Sequence, residues 1–252
     1  MTISPHGDVG ASTGRAVQVC PGRRADPPVA LLCEHASQRL LPDGRAWPAA
    51  DRRLLGTHWA YDLGAADLTR DLAETLGAPA VYAGFSRLLV DPNRGLSSPT
   101  LFRLEAEGLP VMLNQDLTEA ERQRRIDELW RAYHAAADHM IETSTAPTVL
   151  SMHTFTPVYE GIVRHEEVGV LFDRDEALAE AVAERLWQEG LKVGLNVPYS
   201  GRDGMMYSVD RHAASHRRQA LELEVRQDLA VLPAFRRRLV TPLAAVLEET
   251  AP

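Results

Sequence analysis

Two histidines, His35 and His153, each follow a short apolar run, and an acid, Asp62, lies between them in the chain. Two imidazoles and a carboxylate make a donor set for a divalent metal, and catalytic zinc commonly has three such protein ligands and one open position. The open position matters because a metal lowers the pKa of bound water until a nucleophile exists at neutral pH. Glu224, in a late stretch that alternates apolar and acidic residues, is placed to act as the general base, taking that proton and handing it to a leaving amine. Each residue also has a plainer explanation. A strand end can turn polar without chemical purpose, and Asp62 stands at the start of a helical pattern, where a carboxylate caps the helix and favours its dipole. None of these spacings forms a compact motif such as His-Glu-x-x-His.

Other chemistries find less support. Ser37, Ser86, Ser151 and Ser200 are available, but no Gly-x-Ser-x-Gly elbow occurs. A cysteine nucleophile needs an exposed thiolate, whereas Cys33 lies inside an apolar run. Neither Gly-x-Gly-x-x-Gly nor a Walker-type loop is present, so the common nucleotide sites are absent. The net charge of −8 and the lack of a long basic run argue against a nucleic-acid partner. The Arg236-Arg237-Arg238 triplet falls in a helical pattern and reads as a solvated face.

These residues need a scaffold that aims them at one point. The 252-residue chain, 45% hydrophobic, fits one elaborated domain. Residues 1–27, rich in Gly, Pro, Ser and Arg, read as a loosely ordered lead-in, and 28–252 as the domain. No secretory h-region and no membrane-length apolar span is visible, and two cysteines make no disulfide framework, so the expected setting is the reducing cytoplasm.

The run Val29–Ser37 reads as a buried strand breaking onto Glu34 and His35. Ala65, Leu68, Leu72 and Leu76 recur on one helix face, and Gly77 stops that helix. Strands are expected at Ala78–Ala83, Arg87–Val90, Thr148–Met152, Val168–Phe172 and Leu191–Val193, and at Gln219–Val225, where Glu222 and Glu224 share a face. A long loop spans Gly95–Asn114. Thr118 and Glu121 form a capping box for a helix running to about Glu142, on which His134 and His139 read as packing or surface residues. Asp173 is expected to cap a helix ending at Gly190, and a closing helix over Leu229–Leu247 is interrupted near Pro233 and Pro242. Strands alternating with helices predict an α/β fold: one domain with a mixed, mainly parallel sheet and helices on both faces.

Six stretches, CEHAS (33–37), HWAYDLGA (58–65), FSRLLVDPNR (85–94), SMHTF (151–155), NVPYSGRDG (196–204) and LELEV (221–225), resemble in order and character the N-formylglutamate amidohydrolase family. The resemblance runs from about residue 28 to about residue 230. It implies a fold related to zinc-dependent carboxypeptidases and aminoacylases, and hydrolysis of the amide of an N-acyl amino acid, a small-molecule substrate. It also implies that His35 and His153 match the family's metal-site histidines, that Asp62 is the acidic partner, and that Glu224 matches the catalytic glutamate. Asn93-Arg94 is similar to the pair by which carboxypeptidase-like enzymes hold an α-carboxylate, a task suited to a guanidinium's two parallel hydrogen bonds. The chain departs from the pattern at Gln38, where those enzymes place a metal-binding glutamate, and at Glu34, where formylglutamate deformylases carry proline. Glu34 and His58 therefore rival Asp62 as third ligand.

Around this core, Arg87 is available either for a second substrate carboxylate or to pair with Asp91, and Tyr199 and Arg202, in a Gly-flanked loop, are expected at the pocket. His212 is placed to stabilise an oxyanion or to cap a helix. Glu222 either works beside Glu224 or pairs with an arginine. The remaining functional alternatives are a metallopeptidase or deacylase for another small acylated substrate, and a binding protein that kept the pocket without the chemistry.

Overall fold

The computed structural model describes residues 15–40 and 46–251. In chain order its strands are β1 (Val17–Cys20), β2 (Val29–Cys33), β3 (Ala80–Ala83), β4 (Glu105–Ala106), β5 (Leu109–Pro110), β6 (Thr148–Phe155), β7 (Val158–Tyr159), β8 (Ile162–Val163), β9 (Val168–Leu171), β10 (Val193–Leu195) and β11 (Gln219–Arg226). Seven of them form one sheet in the spatial order β1-β3-β2-β6-β11-β9-β10, and β4–β5 and β7–β8 are separate hairpins. The central strands β3, β2, β6 and β11 run parallel, whereas β1 and β9 join antiparallel. The α/β class and the single domain with a mainly parallel mixed sheet are as expected from the alternation of elements.

Strand alternation divides the core in two. Val29, Leu31 and Cys33 of β2 face one side with α1 (Ala65–Leu76), α4 (Glu176–Gln188) and α7 (Pro233–Thr250). Ala30 and Leu32 face the other, packed with α3 (Arg131–Thr143) and α5 (Tyr207–His216). All five β2 residues are buried, and each leucine there contributes about 1.5–3 kcal/mol by leaving water. The helix over 65–76 ends as expected, with Gly77 in the left-handed conformation at φ 62°.

Several elements differ from the sequence expectation. Part of the expected lead-in is ordered: Val17–Cys20 pairs with the otherwise free edge of β3, while residues 1–14 lie outside the described residues. Arg87–Val90 is no strand, because Ser86 captures the backbone, donating to the Ala60 carbonyl at 2.8 Å and accepting from Leu88 N–H at 3.3 Å. Strand β6 continues through Phe155, so His153 lies within it and not past its end. Asp173 is not the cap of α4; Asp175 holds that position, and its carboxylate accepts from Ala220 N–H at 2.8 Å. The closing helix is not broken at Pro242, since Leu239, Leu243, Val246 and Leu247 bury one continuous stripe through it. Ahead of it lies the short α6 (Gln227–Ala230).

The helix opened by Thr118, whose hydroxyl accepts from Glu121 N–H at 3.2 Å, runs as α2 (Glu119–Arg125), a π-helical turn over Ile126–Trp130, and then α3. It buries Arg125, which donates to Asn114 Oδ1 at 2.9 Å and to the carbonyls of Leu89 and Leu113 at 3.2 Å. The segment over 95–114, expected as a loop but carrying the β4–β5 hairpin, is thus tied to the helix from within.

Candidate active site

The register of two neighbouring parallel strands assembles the site. β6 and β11 pair Ser151 with Glu222 and His153 with Glu224, and period-two alternation sends all four side chains to one face. β2 pairs Leu32 with Ser151, so Glu34, two residues on, meets the same face, where it accepts a hydrogen bond from the Ser151 hydroxyl. His35 follows at once, and its carbonyl accepts from Asp62 N–H at 3.0 Å, bringing the turn before α1 against the strand end. Gly64 makes that turn possible: at φ 87° it begins α1 where a Cβ would lie 2.8 Å from Ala230.

Asp62 therefore does not cap its helix. Its Oδ2 lies 2.9 Å from His153 Nδ1 and 3.3 Å from His35 Nδ1 and accepts from Thr154 N–H at 3.2 Å, while Oδ1 accepts from Arg87 at 3.4 Å. The far nitrogen of His35 is 2.8 Å from Asp91 Oδ1, and that of His153 is 3.2 Å from Glu34 Oε2. Arg87 closes the arrangement, donating to Asp91 Oδ2 through Nε and Nη2 at 3.2 and 2.8 Å.

Five buried carboxyl groups, Glu34, Asp62, Asp91, Glu222 and Glu224, crowd two imidazoles and the Arg87 guanidinium. Burial alone raises a carboxyl pKa, and at Glu34 the contacts with His153 and Ser151 outweigh it and hold the group at about 2. At Asp62 burial is likewise outweighed, first by the charge of His35, and the carboxyl stays below the usual range. His153 is raised, since the pull of Glu222, Asp62 and Glu34 exceeds the cost of burial. Burial wins at the last two: Glu222 is pushed up to about 7 and Glu224 well above the usual range. Glu224 also has a buried Oε2 without a hydrogen-bond partner among the described residues.

One donor atom from each of His35, Asp62 and His153 lies within 4.8 Å of the others, so this buried trio could hold a metal ion. The chemistry fits: both imidazoles turn Nδ1 toward the same carboxylate oxygen, His35 presents its other nitrogen to a second carboxylate, as metal-ligating histidines do, and the surplus of acids favours a cation. Among the described residues neither Glu34 nor His58 joins the trio. Glu34 instead backs His153, and His58 stacks beside Trp59 with ring centroids 4.6 Å apart.

A cavity of about 220 Å³ opens over the trio. Arg87, Asn93, Arg94, Tyr199, Glu222 and Glu224 line it with the three candidate ligands. Arg87 takes the second of its expected options and pairs with Asp91. Asn93 donates to Met205 O at 3.3 Å and to Glu222 Oε2 at 3.5 Å, and accepts from Ser208 N–H at 3.0 Å. Arg94 donates to Asn93 O at 2.7 Å and to Thr100 Oγ1 at 3.3 Å. Two residues expected at the pocket are elsewhere. Arg202 points outward to Glu176 at 2.9 Å. His212 is buried beneath α3, bound to Asp138 Oδ1 at 2.7 Å and to His134 at 2.8 Å, because the inward face of α5 turns it to the helix layer. The lining also includes Trp59, Arg103 and Tyr159, which sequence reading passed over, while Asp91 stands behind His35 and outside the lining. Only Asp91 had a local signal, its place two residues before Asn93. Cys33 is buried and its thiol is pushed up to about 12 by burial, the opposite of what a thiolate nucleophile needs.

The family model described as N-formylglutamate amidohydrolase matches residues 27–231. The fold is similar to the crystal structure of a gene product from Agrobacterium tumefaciens, 30% identical, with a TM-score of 0.83 over 97% of this chain and 96% of that one. It is also similar to an N-formylglutamate amidohydrolase from Ralstonia eutropha, 21% identical, with a TM-score of 0.68 over 93% and 98% of the two chains. No curated protein matches the chain. Among the described residues no helix is long and apolar enough to cross a membrane. The match across most of the length, over strands that gather the His–Asp–His trio, places the chain in the N-formylglutamate amidohydrolase family, hydrolases that act on amides.

Proposed function

We propose that the protein hydrolyses the amide of a small N-acyl amino acid, with N-formyl-L-glutamate as the first substrate to test, using a divalent metal, zinc, held by His35, Asp62 and His153. The observation that carries this reading is Glu224: a buried carboxyl oxygen with no hydrogen-bond partner among the described residues, in register with His153 and lining the cavity above the trio. Bound zinc supplies Lewis-acid polarisation of water and of the scissile carbonyl. Glu224 removes a proton from the attacking water and delivers it to the departing nitrogen, a role suited to a carboxyl whose pKa burial has raised. Asp91 holds the His35 imidazole by its far nitrogen, Glu34 places its charge 3.2 Å from that of His153, and Arg87 fixes Asp91 and Asp62. Arg94, with no acidic partner among the described residues, receives the substrate's α-carboxylate beside Asn93. The small cavity supports an acylated amino acid over a peptide.

Metal analysis of purified protein and a panel of N-acyl amino acids test this. About one equivalent of zinc, hydrolysis abolished by a chelator and restored by metal, and a Glu224→Gln variant that keeps its metal but loses roughly 10²–10⁴-fold in kcat are expected. Hydrolysis indifferent to chelation, or a Glu224→Gln variant as fast as the parent, would sink it.

A further inference from the structure

Three guanidiniums line the cavity, and they differ in what they already hold. Arg87 is spoken for, with Asp91 at 2.8 Å and Asp62 at 3.4 Å. Arg94 bonds a backbone carbonyl and a hydroxyl, both neutral. Arg103 lies over the Trp59 ring, its guanidinium carbon 5.1 Å from the ring centroid, with no hydrogen bond or ion pair from its side chain to a described residue.

The position of Arg103 is built. Its carbonyl accepts from Asn114 Nδ2 at 2.8 Å, and the same nitrogen donates at 2.8 Å to the carbonyl of Leu88, next to Arg87. Asn114 is in turn gripped by the buried Arg125 at 2.9 Å. The backbone of residue 103 is thus locked to the segment carrying Arg87, while its side chain is steered into the cavity by a flat aromatic surface. Stacking of this kind orients a guanidinium without using its N–H donors, so all of them remain available to a ligand. Burial, followed by the Arg87 charge, depresses the Arg103 pKa, and the charge of Asp91 opposes this without offsetting it.

We propose that Arg103 is the specificity residue of this cavity, receiving a carboxylate on the substrate's side chain while Arg94 holds the α-carboxylate. The assignment rests on the N-acyl amino acid reading above and moves the second anion site away from Arg87, whose charge Asp91 and Asp62 already answer. A planar guanidinium with its fork open is suited to a two-oxygen anion, and a neutral amide in the same place supplies one oxygen and no charge.

The test compares N-formyl-L-glutamate with N-formyl-L-glutamine on the metal-loaded enzyme and its Arg103→Met and Arg103→Lys variants, with thermal melting to establish that each is folded. The expected result is a fall of about 10- to 100-fold in the ratio of kcat/KM for the glutamyl over the glutaminyl substrate in Arg103→Met, carried mainly by KM, with partial recovery in Arg103→Lys. A ratio unchanged by Arg103→Met overturns the assignment, whether both substrates suffer equally or neither does. If wild-type enzyme turns over neither substrate, the functional reading fails, and calorimetric binding of the same two compounds still decides on Arg103. Selective loss of glutamyl binding in Arg103→Met supports the proposal, and an equal effect overturns it.

Discussion

Arg125 is the residue whose removal should reveal how the cavity wall is supported. It is 2% exposed and sits 11 residues from Asn114 in sequence, yet it satisfies Asn114 Oδ1, Leu89 O and Leu113 O at 2.9, 3.2 and 3.2 Å. An Arg125→Met substitution fills most of the volume and leaves three buried acceptors without donors. Each costs about 1–3 kcal/mol, and relaxation of the loop reduces the sum, so the expected loss is about 3–5 kcal/mol. The ion pair with Glu121 adds little, because that carboxylate lies nearer solvent and also pairs with Arg124. In a chain of this size 1 kcal/mol moves the melting temperature by about 2–4 °C, which sets the expected drop near 10 °C. Differential scanning calorimetry measures it, and limited proteolysis reports where order is lost, with new cleavage expected over 95–114. Arg125→Lys, which keeps the charge but not the fork, should fall between. A drop of less than about 3 °C, or cleavage elsewhere first, would refute the idea that buried hydrogen bonding to this arginine holds the loop carrying Arg103.

Two further outcomes follow from the geometry. Asp91→Asn keeps the shape beside His35 but withdraws the carboxylate 2.8 Å from its Nε2; zinc affinity, read by chelator competition, should weaken about 10- to 100-fold, and an unchanged affinity would remove Asp91 from the site's support. His134 has a pKa pushed down to about 3 by burial first and then by the charges of His212 and Arg211, with Glu34 opposing. An unfolded histidine takes up a proton near pH 6.5 while the folded one does not, so the stability from its neutral form is complete above that pH and is lost as pH falls towards 3. By pH 5 the loss amounts to about 2 kcal/mol. Denaturant melts of wild type and His134→Gln at pH 7 and pH 5 should show the shallower pH dependence in the variant, and parallel profiles would contradict the assignment.

Local pattern made much of the framework legible. The apolar run opening at Val29, the stripe from Ala65 to Leu76 stopped by Gly77, and the alternation of Gln219–Val225 each record burial by neighbours a few residues away, and each became the expected element. Residue type alone singled out His35, Asp62, His153 and Glu224, because imidazoles and carboxylates in buried strands and turns are costly without a partner. Partnership itself was not legible. Asp62 reads locally as a cap and spatially as the point where two imidazoles meet, since the decision depends on strands β2 and β6 lying side by side and on a glycine turn against Ala230. Arg87 and Arg103 carry the same charge in one cavity, and only tertiary contacts distinguish the guanidinium claimed by Asp91 from the one resting on Trp59. His212 and Arg202 were credible by composition but were carried elsewhere by the faces of the elements that bear them. Local composition and periodicity set which groups were available and which strands would bury them. Parallel pairing between distant segments, such as β6 with β11, decided which groups touch, because register across a sheet is settled by the packing of both faces at once and leaves no periodic trace along the chain.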